Sequence, residues 1–80
     1  MEMSEEMLDF IAKNLVDNPD DVQITSKEEE DGAILLELRV NPEDMGKVIG
    51  KRGRTAKAIR TMVKAAGTRD GVNASVEIVE

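Results

Sequence analysis

The sequence contains no cysteine, histidine, tryptophan or tyrosine, and Phe10 is its only aromatic residue. Without cysteine there can be no disulfide, thiolate metal site or cysteine nucleophile. Without histidine the commonest general base and the commonest transition-metal ligand are missing too. No apolar run approaches the length of a membrane span, and the acidic N-terminus is unlike a signal peptide. The expectation is a cytoplasmic protein with no membrane association. Neither an internal repeat nor a low-complexity tract is present, and 80 residues suffice for one domain with one modest core.

What is present is charge, unevenly spread. The net charge is −6. Residues 1–44 carry a balance of −11, whereas residues 45–69 carry eight basic side chains and no carboxylate. A ligand meets the local field, not the chain total, because screening limits its reach to about 8 Å at physiological salt. A plain solvated helix face is the alternative reading of this basic stretch.

Hydrophobic spacing sets the expected elements. Met7, Leu8, Ile11, Ala12 and Leu15 recur at helical intervals after Ser4, so a helix is expected over about 4–17, stopping at Asn18-Pro19. A strand over about 21–28 leads to Asp31-Gly32, a hairpin signal in which both residues tolerate positive φ. The next strand, about 33–40, alternates: Ile34, Leu36, Leu38 and Val40 share one face, and Leu35, Glu37 and Arg39 the other. Asn41-Pro42-Glu43-Asp44 starts a helix over about 42–49, with Asn41 as cap, proline at the first position and acids near the positive end of the dipole. Gly50 and Gly53 interrupt it. A further helix is expected over about 54–66, capped by Gly67, and a last strand over about 72–79. This order predicts an α+β domain: a three-stranded mixed sheet with helices on one face, the second and third strands parallel.

Gly50-Lys51-Arg52-Gly53 joins two helices, and that placement gives the tetrapeptide meaning. Glycines permit a tight turn and close approach of a ligand backbone. Amides at the start of the following helix favour an anion, to which Lys51 and Arg52 add positive charge. On that helix Arg54, Lys57, Arg60 and Lys64 fall within a sector of roughly 120°, while Ala56, Ile59, Val63 and Ala66 face the sheet. Arg60 and Lys64 lie farther from the loop and read as solvated; Lys47 extends the basic surface on the other side. Ile49 and Ile59 read as core, and Met3, Met7, Met45 and Met62 as adaptable packing residues.

The run Val48-Ile49-Gly50-Lys51-Arg52-Gly53 resembles the central signature of KH domains, and the order αββααβ is similar to their type II topology. Residues 41–60 as a whole, with Leu15-Val16-Asp17-Asn18-Pro19 and Val76-Glu77-Ile78-Val79, resemble more narrowly the small bacterial single-KH proteins of the KhpA (YlqC) family. The resemblance covers essentially the whole chain. It implies weakly selective binding of single-stranded RNA, a role as post-transcriptional regulator or RNA chaperone, no catalysis and no cofactor. It also implies self-association or pairing with a larger KH-domain RNA-binding protein. KH loops clamp about four nucleotides. On this reading Lys47, Val48, Gly50, Lys51, Arg52, Gly53, Arg54 and Lys57 contact RNA, and Val48 and Leu38, which could equally be core, border an apolar groove for the bases.

Other nucleotide-handling devices fail on spacing. The P-loop pattern would need glycine at Met45 and a hydroxyl at Arg52, and the dinucleotide fingerprint is absent. A single Phe cannot form the aromatic stacking platform of other RNA-binding folds. An enzyme is not expected, since no recognisable catalytic constellation is present. The reading from another class is a protein-interaction subunit with little RNA affinity of its own.

Overall fold

The computed structural model describes residues 3–80. Helix α1 spans Met3–Leu15 and buries Ser4, Leu8 and Ala12, a strip with a four-residue repeat. Glu5 and Glu6 in its first turn and Lys13 in its last suit the helix dipole. Pro19–Asp21 forms a single 3-10 turn, so strand β1 is Gln23–Glu28 and starts two residues later than expected. Strand β2 is Ile34–Arg39, and strand β3 is Ala74–Val79.

Sheet order is β1-β2-β3. β1 runs antiparallel to β2, from Gln23 opposite Arg39 to Glu28 opposite Ile34. β2 and β3 are parallel, with Ile34 opposite Ala74 and Arg39 opposite Val79. The element order and mixed sheet expected of a type II KH domain are therefore present. The hairpin differs in detail. Only Gly32 turns left-handed, at φ 85°, and the Glu29 amide bonds the Ala33 carbonyl, leaving Glu30, Asp31 and Gly32 at the tip. Asp31 instead uses its carboxylate to accept from the Ala33 amide at 3.0 Å.

Between the two parallel strands lie a 3-10 turn at Pro42–Asp44, helix α2 at Met45–Ile49, a turn at Lys51–Gly53 and helix α3 at Arg54–Arg69. Leu36 and Leu38 from β2, Val76 from β3, Leu8 and Ala12 from α1, Val48 from α2, and Ile59 and Val63 from α3 form the core. Each fully buried aliphatic of this kind contributes about 1.5–3 kcal/mol.

Helix α3 runs past the expected stop. Gly67 is buried inside it, and an added Cβ there would lie 2.9 Å from both the Ala74 Cβ and the Val72 carbonyl. Its missing side chain lets α3 press against the start of β3. The cap falls instead to Gly71, at φ 74°, with the Val72 amide reaching back to the Gly67 carbonyl at 2.8 Å.

Candidate nucleic-acid interface

Asn41 caps as expected: its side-chain oxygen accepts from the Glu43 amide at 2.9 Å. Farther along the same turn, Asp44 is fully buried. Its carboxylate accepts from the backbone amides of Asp17 (3.2 Å) and Asn18 (3.0 Å) and from the Asn18 side-chain amide (3.0 Å). Asp44 thereby satisfies the chain end that follows α1 and ties it to the start of α2. Burial pushes the Asp44 carboxyl up, but the Asn18 amide, the two backbone amides and nearby Lys47 together hold it below the ordinary carboxylate value. Lys47 bonds Asp17 at 2.6 Å and lies 3.6 Å from Asp44. The hydrogen bond to Asp17 outweighs desolvation and, with both carboxylates' charge, raises the Lys47 ammonium above its ordinary value.

One turn later the backbone enters conformations suited to glycine. Gly50 sits at φ 75° and ψ 175°, Arg52 at φ 57° and Gly53 at φ 73°. A Cβ on Gly50 would also collide with the Thr55 side chain and lie 2.9 Å from its backbone nitrogen. Gly50 is thus required twice over. Arg52 is the only non-glycine residue with positive φ among those described. Holding an L-residue there costs about 1–2 kcal/mol. Gly53 precedes α3 without a side-chain cap; the Arg54 amide donates back to the Lys51 carbonyl, and the Gly53 position offers no side-chain acceptor to the amides that follow in the first turn of this 16-residue helix.

Lys51, Arg52, Arg54 and Lys57 are exposed around this loop. None of them pairs with a carboxylate among the described residues. Arg60, farther along, donates its Nε to the Val76 carbonyl at 3.3 Å and so lies against the outer edge of β3. The loop, a helix start without a side-chain cap and the unpaired cations lie together.

In the hydrophobic pair before the loop, Val48 takes the core alternative and Ile49 departs from its expected place in the core. Val48 is fully buried, as is Leu38, so neither borders a groove. Ile49, expected in the core, is 38% exposed beside the loop. The helix is too short for spacing alone to set its phase. The methionine reading holds for Met7 and Met45, which pack against the core, and fails for Met3 and Met62, which are exposed, as is Phe10 at 67%, on the packed pair α1 and α3.

An αββααβ fold whose glycine-flanked loop joins the two helices of the crossover defines a KH domain of type II. The chain matches the KH-domain model of KhpA and KhpB over residues 5–78, and it belongs to that family. It is 55% identical to the RNA-binding protein KhpA of Clostridium perfringens over 74 residues, 92% of this chain and 97% of the relative. It is 55% identical to the RNA-binding protein KhpA of Streptomyces coelicolor over 67 residues, 84% of each chain. For the Listeria monocytogenes protein of the same description the figures are 51% over 76 residues, 95% of this chain and 99% of the relative.

Proposed function

We propose that this chain binds single-stranded RNA by gripping the sugar-phosphate backbone with the Gly50–Gly53 loop. The observation that carries the reading is the set of unpaired cations, Lys51, Arg52, Arg54 and Lys57, around a glycine-shaped turn that opens a long uncapped helix. Phosphate oxygens would accept from the α3 amides and be neutralised by those side chains. Lys47 would add a weaker, longer-range contribution, because two carboxylates already face it. Bases would lie toward exposed Ile49, with affinity coming from charge and aliphatic contact instead of stacking. The family's curated relatives are described as RNA-binding proteins, not enzymes, which supports a binding role without catalysis. In the cell we place it in the cytoplasm as a post-transcriptional regulator or RNA chaperone. Among the described residues no helix is long and apolar enough to cross a membrane.

The test is fluorescence anisotropy with a labelled single-stranded RNA pool across a salt series. Each phosphate neutralised contributes a slope of about −0.7 in log K against log salt, so four free cations predict a slope near −3. A flat salt response contradicts the mechanism.

A second module would raise affinity by avidity, since one KH unit makes few contacts. Met3 and Phe10 of α1 and Met62 of α3, exposed on adjoining helices, favour self-association through that layer. A larger KH-domain partner using the same layer is the alternative, in which case this chain acts mainly as an interaction subunit. Sedimentation across concentration tests it: Phe10→Ser is expected to shift a dimer toward monomer, and a wild-type chain that stays monomeric at high concentration rules out the homodimer.

A further inference from the structure

Two carboxylates face Lys47, and they do different work. Asp44 is fully buried, and its carboxylate accepts from the Asp17 and Asn18 backbone amides and from the Asn18 side-chain amide. Those three donors hold the end of α1 against the start of α2 without help from an ammonium. Asp17 enters this knot through its backbone amide. Its side chain is 73% exposed and, among the described residues, meets no donor but the Lys47 ammonium, at 2.6 Å. An exposed ion pair of this kind adds little to stability. The fold therefore gives no reason for a carboxylate at Asp17.

The position of its partner suggests one. Lys47 stands three residues before Gly50, on the helix that leads into the loop, and is itself 45% exposed. To an ammonium, a phosphate oxygen and a carboxylate oxygen are alike: each is an anion that accepts a charge-assisted hydrogen bond. The Lys47–Asp17 pair is such a contact already made inside the molecule. Exchanging one anion for the other strands no buried group, since Asp44 keeps its three donors and the Asp17 carboxylate is left in water. Lys51, Arg52, Arg54 and Lys57 have no such competitor among the described residues. The net gain at Lys47 is small only because one contact replaces another.

We propose that the Asp17 carboxylate is an intramolecular competitor: it occupies Lys47 in the free protein, is displaced by an RNA phosphate, and so sets affinity below what the cations could deliver. This rests on the RNA-binding reading above. The experiment measures anisotropy with single-stranded oligouridylate across a salt series, with thermal melts of each protein. It compares wild type, Asp17→Asn, Lys47→Met, the combination of those two, and the clamp variant Lys51→Asp/Arg52→Asp. Asp17→Asn is expected to keep Tm within about 3 °C of wild type. It is expected to bind roughly fivefold more tightly at 0.1 M salt and to steepen the salt slope by about 0.7, one further phosphate contact. In the Lys47→Met background the same substitution is expected to change affinity by less than about twofold, because the gain runs through that ammonium.

Unchanged affinity in Asp17→Asn overturns the inference. A full gain that persists without Lys47 overturns it too, since removal of any negative charge would then suffice. A Tm lowered further than expected would assign the carboxylate to the fold and has the same consequence. If the clamp variant loses binding while Asp17→Asn gains none, only this inference fails. If the clamp variant binds as tightly as wild type, or wild type does not bind, the clamp reading fails and takes the inference with it.

Discussion

Lys47 and Lys51 lie four residues apart, on either side of the break at Gly50, and the protein treats them oppositely. Lys47 is neutralised within the molecule by Asp17 and Asp44, as part of a knot that joins α1 to α2. Lys51 and its neighbours Arg52, Arg54 and Lys57 face no carboxylate among the described residues. On one side of Gly50 charge holds the fold together; on the other it is left uncompensated, and Arg52 is strained as well. The difference teaches that a basic segment is not uniformly an interface. In the proposed reading the interface is the part around the loop, where the fold supplies no counter-ion.

Removing the knot has the largest expected effect. Asp44→Ala strands the Asp17 and Asn18 amides that the carboxylate serves, and Tm is expected to fall by roughly 10 °C or more. A shift of only a degree or two would mean that the two sides of Gly50 do not differ as described. The same carboxylate has a pH signature. Because its folded value lies below the ordinary 3.8, its contribution is fully present above that value and is lost as pH falls through the folded value. Thermal melts from neutral pH into acid are therefore expected to show a loss of Tm in wild type that is smaller in Asp44→Asn. Identical acid profiles would remove Asp44 as a source of that loss.

A smaller effect separates the two kinds of cation directly. Lys57→Met is expected to reduce the magnitude of the salt slope by about 0.7, one phosphate contact. Lys47→Met should reduce it by less, because its charge is already matched. Equal reductions would break the contrast. The smallest effect concerns strain: Arg52→Gly removes a left-handed L-residue and is expected to raise Tm by a few degrees while weakening RNA binding. A lowered Tm would show that the Arg52 side chain stabilises the loop.

Much of this domain is legible in its amino-acid sequence. Alternation in β2 and the helical repeat of Ala56, Ile59, Val63 and Ala66 assign the faces correctly, because each periodic stretch is long enough to fix its own phase. The loop is legible because glycines and cations are adjacent in sequence. What escaped depends on contacts distant in sequence. Asp44 reads as an ordinary acid near a helix start, and only the return of α1 buries its carboxylate. Val48 and Ile49 are interchangeable by composition, so packing decides which faces the core. Gly67 and Gly71 are both plausible caps, and the close approach of β3 selects the second.

The central claim is that the uncompensated loop cations hold the RNA. RNA affinity of the double variant Lys51→Asp/Arg52→Asp, with both glycines kept and the fold verified by circular dichroism, tests it most directly. A loss of roughly a hundredfold or more at low salt is predicted, since two attractive phosphate contacts become repulsive. Undiminished affinity in a correctly folded variant would contradict it.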